Sequence, residues 1–138
     1  LSGAVADASK YLSNLEFLEW VPRRQLVNVL DQCDVLVLPS KEEAFGTVAL
    51  EAMARGRMVI VSSRCGILNW PSLSRGLFRI RRGESLADAI SRIDKIDVAS
   101  KTGQAAAGRA AAVAFNNTAL EDWLALFSQL NRAEGATS

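Results

Sequence analysis

The sequence contains no histidine, two cysteines and three prolines, and its longest unbroken apolar stretch, Ala110 to Phe115, is six residues long. Each scarcity excludes something. Without histidine there is no Ser-His-Asp or Cys-His triad, no imidazole base and none of the usual zinc sites. Cys33 and Cys65 are too few for a disulfide framework and are not spaced as metal ligands, so both are expected to be reduced and structural, as in a cytoplasmic protein. A six-residue apolar run falls far short of the ~18–20 residues that span a membrane. No basic segment precedes a short apolar one, so no signal peptide is expected. Charge of one sign is also lacking. Sixteen Lys and Arg against 15 Asp and Glu leave +1, which gives no bulk attraction for nucleic acid.

What is present is an ordinary folding composition, 49% hydrophobic and 22% charged over 138 residues, about one domain's worth of chain. The chain starts at Leu1 inside a helix-like run, as expected of a domain cut from a longer protein. Ala4 to Leu12 predicts a short helix ending in a Ser13-Asn14 turn, and Leu15, Phe17 and Leu18 a short strand. Pro22 suits the first turn of a helix. Leu26, Val29, Leu30 and Cys33 then line one helical face.

Two runs, Val35-Leu36-Val37-Leu38 and Met58-Val59-Ile60-Val61, are apolar throughout, as strands buried on both faces of a parallel sheet must be. Between them a helix is expected from Gly46 to Arg55, stopped by Gly56. Leu77 to Ile80 predicts a third strand, and Leu86, Ala89, Ile90 and Ile93 a helix after Gly83-Glu84-Ser85. The tail predicts two helices, the first from about Ser100 to Phe115. The second carries Leu120, Trp123, Leu124, Phe127 and Leu130 on one stripe, with fraying from Glu134. Alternating strands and helices imply a single α/β domain with a Rossmann-like parallel sheet.

In such sheets ligands bind beyond the carboxyl ends of the strands, where loops enter helix N-termini. The loop Pro39 to Thr47 is the most informative. Gly46 permits close backbone approach, and amides near Phe45, Gly46 and Thr47 would form an anion site at the positive end of the following helix. Glu43 precedes that helix and Glu51 follows eight residues later, so both carboxylates are expected to face one cleft. Beside an anion site, carboxylates suit sugar hydroxyls rather than phosphate.

Val35 to Ser40, then Glu43-Ala44-Phe45-Gly46, then Leu50-Glu51-Ala52-Met53-Ala54-Arg55-Gly56, resemble the signature of the group 1 glycosyltransferases. These are retaining enzymes of the GT-B fold, with nucleotide-sugar donors and two glutamates separated by seven residues. The likeness extends from about residue 14 to 130. It takes in Leu15 to Pro22 as strand and turn, Val59 to Gly66 as strand and loop, and Gly76 to Ile93. The chain departs from the pattern at Glu19 (usually glycine), Met58 (often proline), Cys65 (the first of a Gly-Gly pair) and Asn69 (often Glu). A strand bearing a cationic Arg or Lys pair for the donor diphosphate, and a whole acceptor domain, would precede Leu1 in the family.

The resemblance implies that this is the C-terminal half of a GT-B fold, transferring a hexose from a UDP- or GDP-linked donor to an acceptor hydroxyl with retention. Glu43, the expected catalytic residue, would bind hydroxyls of the transferred sugar. Together with Glu43, Ala44, Phe45, Gly46 and Thr47 make up the donor loop, with the last three amides on the sugar and diphosphate, and Glu51 would hold the ribose. A front-face reaction asks the enzyme to position groups and stabilise charge. No Asp-x-Asp stands at a strand end, so neither metal nor other cofactor is expected.

The expected partners are the nucleotide-sugar and a sugar or lipid-linked acceptor brought by the preceding domain, in carbohydrate or cell-surface polysaccharide biosynthesis. The location implied is cytoplasmic, with the parent protein able to touch the inner membrane face. The isolated chain is not expected to transfer sugar. A different class, a non-catalytic nucleotide or sugar-nucleotide module of degenerate GT-B type, shares these residues. Arg79, Arg81 and Arg82 form a basic cluster that suggests a solvated strand end ahead of a contact with an anionic membrane or acceptor; Asp31 and Asp34 suggest a helix-end pair, and Trp123 and Phe127 core. Trp20 and Trp70 flank the cleft, as packing or as a pocket wall.

Overall fold

A computed structural model of the chain describes residues 14, 16 and 18–135. The helix expected over Ala4–Leu12, and Leu15 and Phe17 of the first expected strand, lie outside the described residues; Leu18, which is described, is irregular and exposed. The elements in order are α1 (Arg23–Gln32), β1 (Val35–Leu38), α2 (Thr47–Ala54), β2 (Met58–Val61), a 3-10 turn (Gly66–Asn69), α3 (Pro71–Ser74), β3 (Phe78–Arg79), α4 (Leu86–Asp94) and α5 (Val98–Gly135). Pro22 stands just before the first helical residue, where its carbonyl accepts from the amide of Gln25 at 2.8 Å.

The three strands are parallel and ordered β1-β2-β3. Val35 pairs with Met58 and Leu38 with Val61, while Ile60 pairs with Phe78. A parallel pair needs a crossover, and α2 supplies the one between β1 and β2. All three strands therefore end on one edge, from which the loops after Leu38, Val61 and Arg79 emerge. This is the α/β, Rossmann-like arrangement that the apolar strands imply. β3 is shorter than the expected Leu77–Ile80, although the amide of Ile80 still donates to the Val61 carbonyl at 2.9 Å.

Ala49, Ala52 and Met53 of α2 are fully buried with Val59 and Val61 of β2. The small alanines let helix and sheet approach closely, and Met53 fills the remaining space. Leu30 of α1 and Ala112 of α5 complete the same core. Contact between α5 and the turn before β3 is closer still. A Cβ on Gly76 would lie 2.3 Å from the Cα of Gly108, so only glycine fits there.

The tail departs from expectation. α5 runs unbroken from Val98 to Gly135, where two helices and a frayed end from Glu134 are expected. Asn116-Asn117-Thr118 carries side chains that commonly cap or break helices. Here the Thr118 hydroxyl donates back to the carbonyls of Ala114 and Phe115, at 3.3 and 3.2 Å. The side chain is thus satisfied without leaving the helix. Neither proline nor glycine intervenes between Arg109 and Glu134 to stop it. The side chains of Trp123 and Phe127 lie outside the described residues, whereas Leu124, on the same expected stripe, is 58% exposed.

Candidate functional site

The loop after β1 carries on the parallel pairing beyond the sheet. Glu43 and Cys65 form an isolated parallel bridge, in which the Gly66 amide donates to the Glu43 carbonyl at 2.8 Å. The Ile67 amide donates to the Phe45 carbonyl, also at 2.8 Å. The approach is so close that a Cβ on Gly66 would lie 1.8 Å from the Ala44 carbonyl oxygen. Two loops are thereby locked together, and Glu43 is fixed in an extended segment rather than on a helix.

Gly46 follows in the left-handed region, φ 91°, and turns the chain into α2 without a side-chain cap. A left-handed residue at that point favours glycine because a Cβ would crowd the backbone. Among the described residues, the amides of Phe45, Gly46 and Thr47 meet no hydrogen-bond acceptor. The positive end of α2 thus carries unpaired donors, the arrangement that suits an anion.

The two glutamates line two different cavities of the described residues. Glu43 lines a cavity of about 540 Å³ with Glu42, Ala44 and Arg64. Glu51 lines one of about 330 Å³ between α1 and α2, walled by Leu26, Val27, Leu30 and Ala54. The reason is local. Only the stretch from Thr47 onward is helical, so the eight-residue spacing is not two clean turns. The carboxylate of Glu51 accepts from Nη2 of Arg23 at 3.1 Å. Sequence reading missed Arg23, because a pair 28 residues apart leaves no periodic signal.

Cys65 stands where the resemblance leads one to expect glycine, and its buried thiol occupies real space. A Cβ on Gly46 would meet its sulfur at 2.8 Å, and the thiol donates to the Phe45 carbonyl at 3.4 Å. Burial pushes its pKa up, with the nearby Glu43 charge adding to the shift, so it remains an inert thiol of the kind that packs. Both cysteines are free, as expected.

The Phe45 ring is held by an aromatic trio. It stacks on Phe115 of α5 at 6.0 Å and meets the edge of Trp70 at 6.4 Å, while Trp70 and Phe115 lie 5.0 Å apart, nearly perpendicular. Such offset and edge-on geometries are the favourable ones. Trp70 packs in this trio yet stays 46% exposed, and Trp20 is exposed too. Among the described residues, no group of three His, Cys, Asp or Glu side chains could hold a metal, and no helix is long and apolar enough to cross a membrane.

With this geometry in view, comparison with known proteins is decisive. The family model for glycosyl transferases group 1 matches residues 4–93, which include both glutamates and the loop between them. The chain belongs to this family. A D-inositol 3-phosphate glycosyltransferase of Corynebacterium diphtheriae is 35% identical over 75 residues, covering 48% of this chain and 18% of that one. A glycosyltransferase of Methanocaldococcus jannaschii, itself uncharacterized, is 48% identical over 52 residues, covering 38% of this chain and 13% of that one.

Among solved structures, a sucrose-phosphate synthase from Thermosynechococcus elongatus superposes with a TM-score of 0.72 at 27% identity, over 99% of this chain and 34% of its own. The N-terminal domain of Candida albicans trehalose-6-phosphate phosphatase superposes with a TM-score of 0.65 at 13% identity, over 90% of this chain and 30% of its own, a likeness of fold alone. The chain therefore spans less than a fifth of the curated relatives and about a third of the structural ones. The α/β sheet is that of a GT-B glycosyltransferase half.

Proposed function

We propose that this chain is the donor-binding part of a retaining glycosyltransferase that uses a nucleotide-sugar. One observation carries the reading: unpaired amides at Phe45, Gly46 and Thr47 lie between a loop carboxylate, Glu43, and a helix carboxylate, Glu51. The amides and the helix dipole suit a diphosphate, which needs donors and positive potential. The carboxylates accept only, and so suit hydroxyls on either side: Glu43 those of the transferred sugar, Glu51 those of the ribose. Transfer then replaces the nucleoside diphosphate by an acceptor hydroxyl with retention at the anomeric carbon. Oxygen of the departing phosphate takes the acceptor's proton. Glu43, beside the anomeric centre, stabilises positive character that develops there.

Amide-resolved NMR of the chain tests this. Nucleoside diphosphate is expected to move the amides of Phe45, Gly46, Thr47 and Glu51, and the corresponding nucleotide-sugar to move Glu43 as well. If nucleoside diphosphate leaves the Phe45–Thr47 amides unmoved, the donor reading fails. If the sugar makes no difference at Glu43, that residue loses its assigned role.

A further inference from the structure

The unpaired amides of the donor loop are not equally held. Each amide shares a rigid plane with the carbonyl before it, so a bond to that carbonyl fixes the direction of the amide. The Gly46 amide shares its plane with the Phe45 carbonyl, which accepts from the Ile67 amide at 2.8 Å. The Thr47 amide shares its plane with the Gly46 carbonyl, which accepts from the Ala49 amide at 2.8 Å. The plane between Ala44 and Phe45 has no such support. Among the described residues, neither the Ala44 carbonyl nor the Phe45 amide makes a hydrogen bond.

The Phe45 ring supplies the missing restraint. It stacks on Phe115 at an interplanar angle of 23°, and Trp70 meets the two rings edge-on, at 86° and 82°. Both partners are themselves fixed. Phe115 lies one turn beyond Ala112, which is buried in the core, and packs against the same cluster. The Trp70 carbonyl accepts from the amides of Leu73 and Ser74 at 3.0 and 2.9 Å, and its amide donates to the Ile67 carbonyl at 3.2 Å. A phenylalanine ring is two torsions from its backbone, the first confined to staggered wells. A ring held on two sides therefore limits how far its own amide can tilt.

We infer that Phe115 and Trp70 are positioning residues for the donor diphosphate, acting through the Phe45 ring to aim the Phe45 amide. The diphosphate itself rests on the donor reading above. Neither Phe115 nor Trp70 needs to touch the donor. Phe115 stands on α5, beyond the residues 4–93 that the family model covers, so this support for the loop comes from outside the matched segment.

The test measures ¹⁵N order parameters of the ligand-free chain, then titrates it with nucleoside diphosphate and with the unphosphorylated nucleoside. The Phe45 amide is expected near about 0.85, the value of rigid backbone, in the wild type, and to fall toward about 0.6 in Phe115→Leu. The amides of Gly46 and Thr47, held through their carbonyls, should stay rigid. Nucleoside diphosphate affinity should fall by about two- to tenfold, the worth of an aromatic contact, while nucleoside affinity stays the same. Phe115→Tyr, which keeps the stacked ring, should restore both readings, and Trp70→Leu should act in the direction of Phe115→Leu.

Three results overturn the inference: an equally rigid Phe45 amide in folded Phe115→Leu and Trp70→Leu, equal loss of nucleoside and nucleoside diphosphate, or no rescue by tyrosine. Failure of the donor reading is distinguishable. It appears in the wild type, as silence of the Phe45–Thr47 amides toward nucleoside diphosphate, whereas the order parameters are read without ligand.

Discussion

The two ends of helix α2 are built in opposite ways. Its C-terminal end is closed. The Arg55 amide donates to carbonyls of the last turn, the Arg57 amide reaches the Ala52 carbonyl at 3.0 Å, and Gly56 turns away at φ 71°. Asp31 of α1 then takes both Arg55, through two guanidinium nitrogens, and Arg57. The N-terminal end keeps no cap and leaves its amides unpaired, yet the loop before it is locked by the Glu43–Cys65 bridge and by the aromatic trio. One helix thus separates two jobs. Backbone hydrogen bonds and the Asp31 ion pairs fasten it at one end, while rigid but unsatisfied donors at the other suit a ligand.

The most damaging change to the open end is expected at Gly66. An alanine there would drive its Cβ into the Ala44 carbonyl, which is backbone and cannot swing aside. Gly66→Ala should cost about 3 kcal/mol or more of stability, at the severe end for overpacking. Gly46→Ala should cost somewhat less, about 1–2 kcal/mol for the left-handed backbone, plus a clash with the Cys65 sulfur. In a Cys65→Ala background that second part should disappear. Chemical denaturation of wild type, the three single variants and the Gly46→Ala/Cys65→Ala double variant measures these differences. A Gly66→Ala chain as stable as wild type would mean that the two loops are not locked together.

Next in size is Glu51→Ala. Losing hydrogen bonds to a charged acceptor should cost about 1.5–3 kcal/mol in nucleoside diphosphate affinity, roughly ten- to 150-fold in Kd. Stability should scarcely change, since the partner Arg23 is 85% exposed and such pairs are worth little. Asp31→Asn should do the reverse at the closed end: a lower Tm with nucleotide affinity unaltered. If calorimetry shows Asp31→Asn weakening nucleotide, or Glu51→Ala sparing it, the division of labour along α2 is wrong.

How much of this was legible depends on the range of the interaction. β1 and β2 lie where the apolar runs Val35–Leu38 and Met58–Val61 stand, because a strand buried on both faces leaves an uninterrupted apolar signature. The α2 boundaries moved inward by one residue at each end, since Gly46 and Arg55 flank the helix rather than join it. The motif placed Glu43 and Glu51 beside the helix but not in their separate cavities, because helical spacing does not extend into the loop. Arg23 at Glu51 and Phe115 at Phe45 were invisible, as each joins distant segments. The unbroken α5 was missed for a different reason: Thr118 satisfies its own hydroxyl within the helix.

The smallest expected effect concerns acid stability at Glu84, in the turn before α4. Hydrogen bonds from Arg92, then from the Arg81 amide, hold the Glu84 carboxyl down to about 2 from its ordinary 4.5. A carboxyl whose pKa is depressed by folding stabilises the folded state above its unfolded pKa and loses that contribution as pH falls through the folded value. Glu84 should therefore contribute fully above about pH 5 and progressively less toward about pH 2. Asp31 and Asp97 are held low as well, by Arg55 and Ser100 respectively, so an acid limb in the wild type alone does not identify Glu84. The difference between wild type and Glu84→Gln does, because the two aspartates cancel. Denaturant midpoints of both chains, followed downward from about pH 6, should converge in acid, with the gap closing as Glu84 takes up its proton. A gap that stays constant would mean that Glu84 is not held by Arg92.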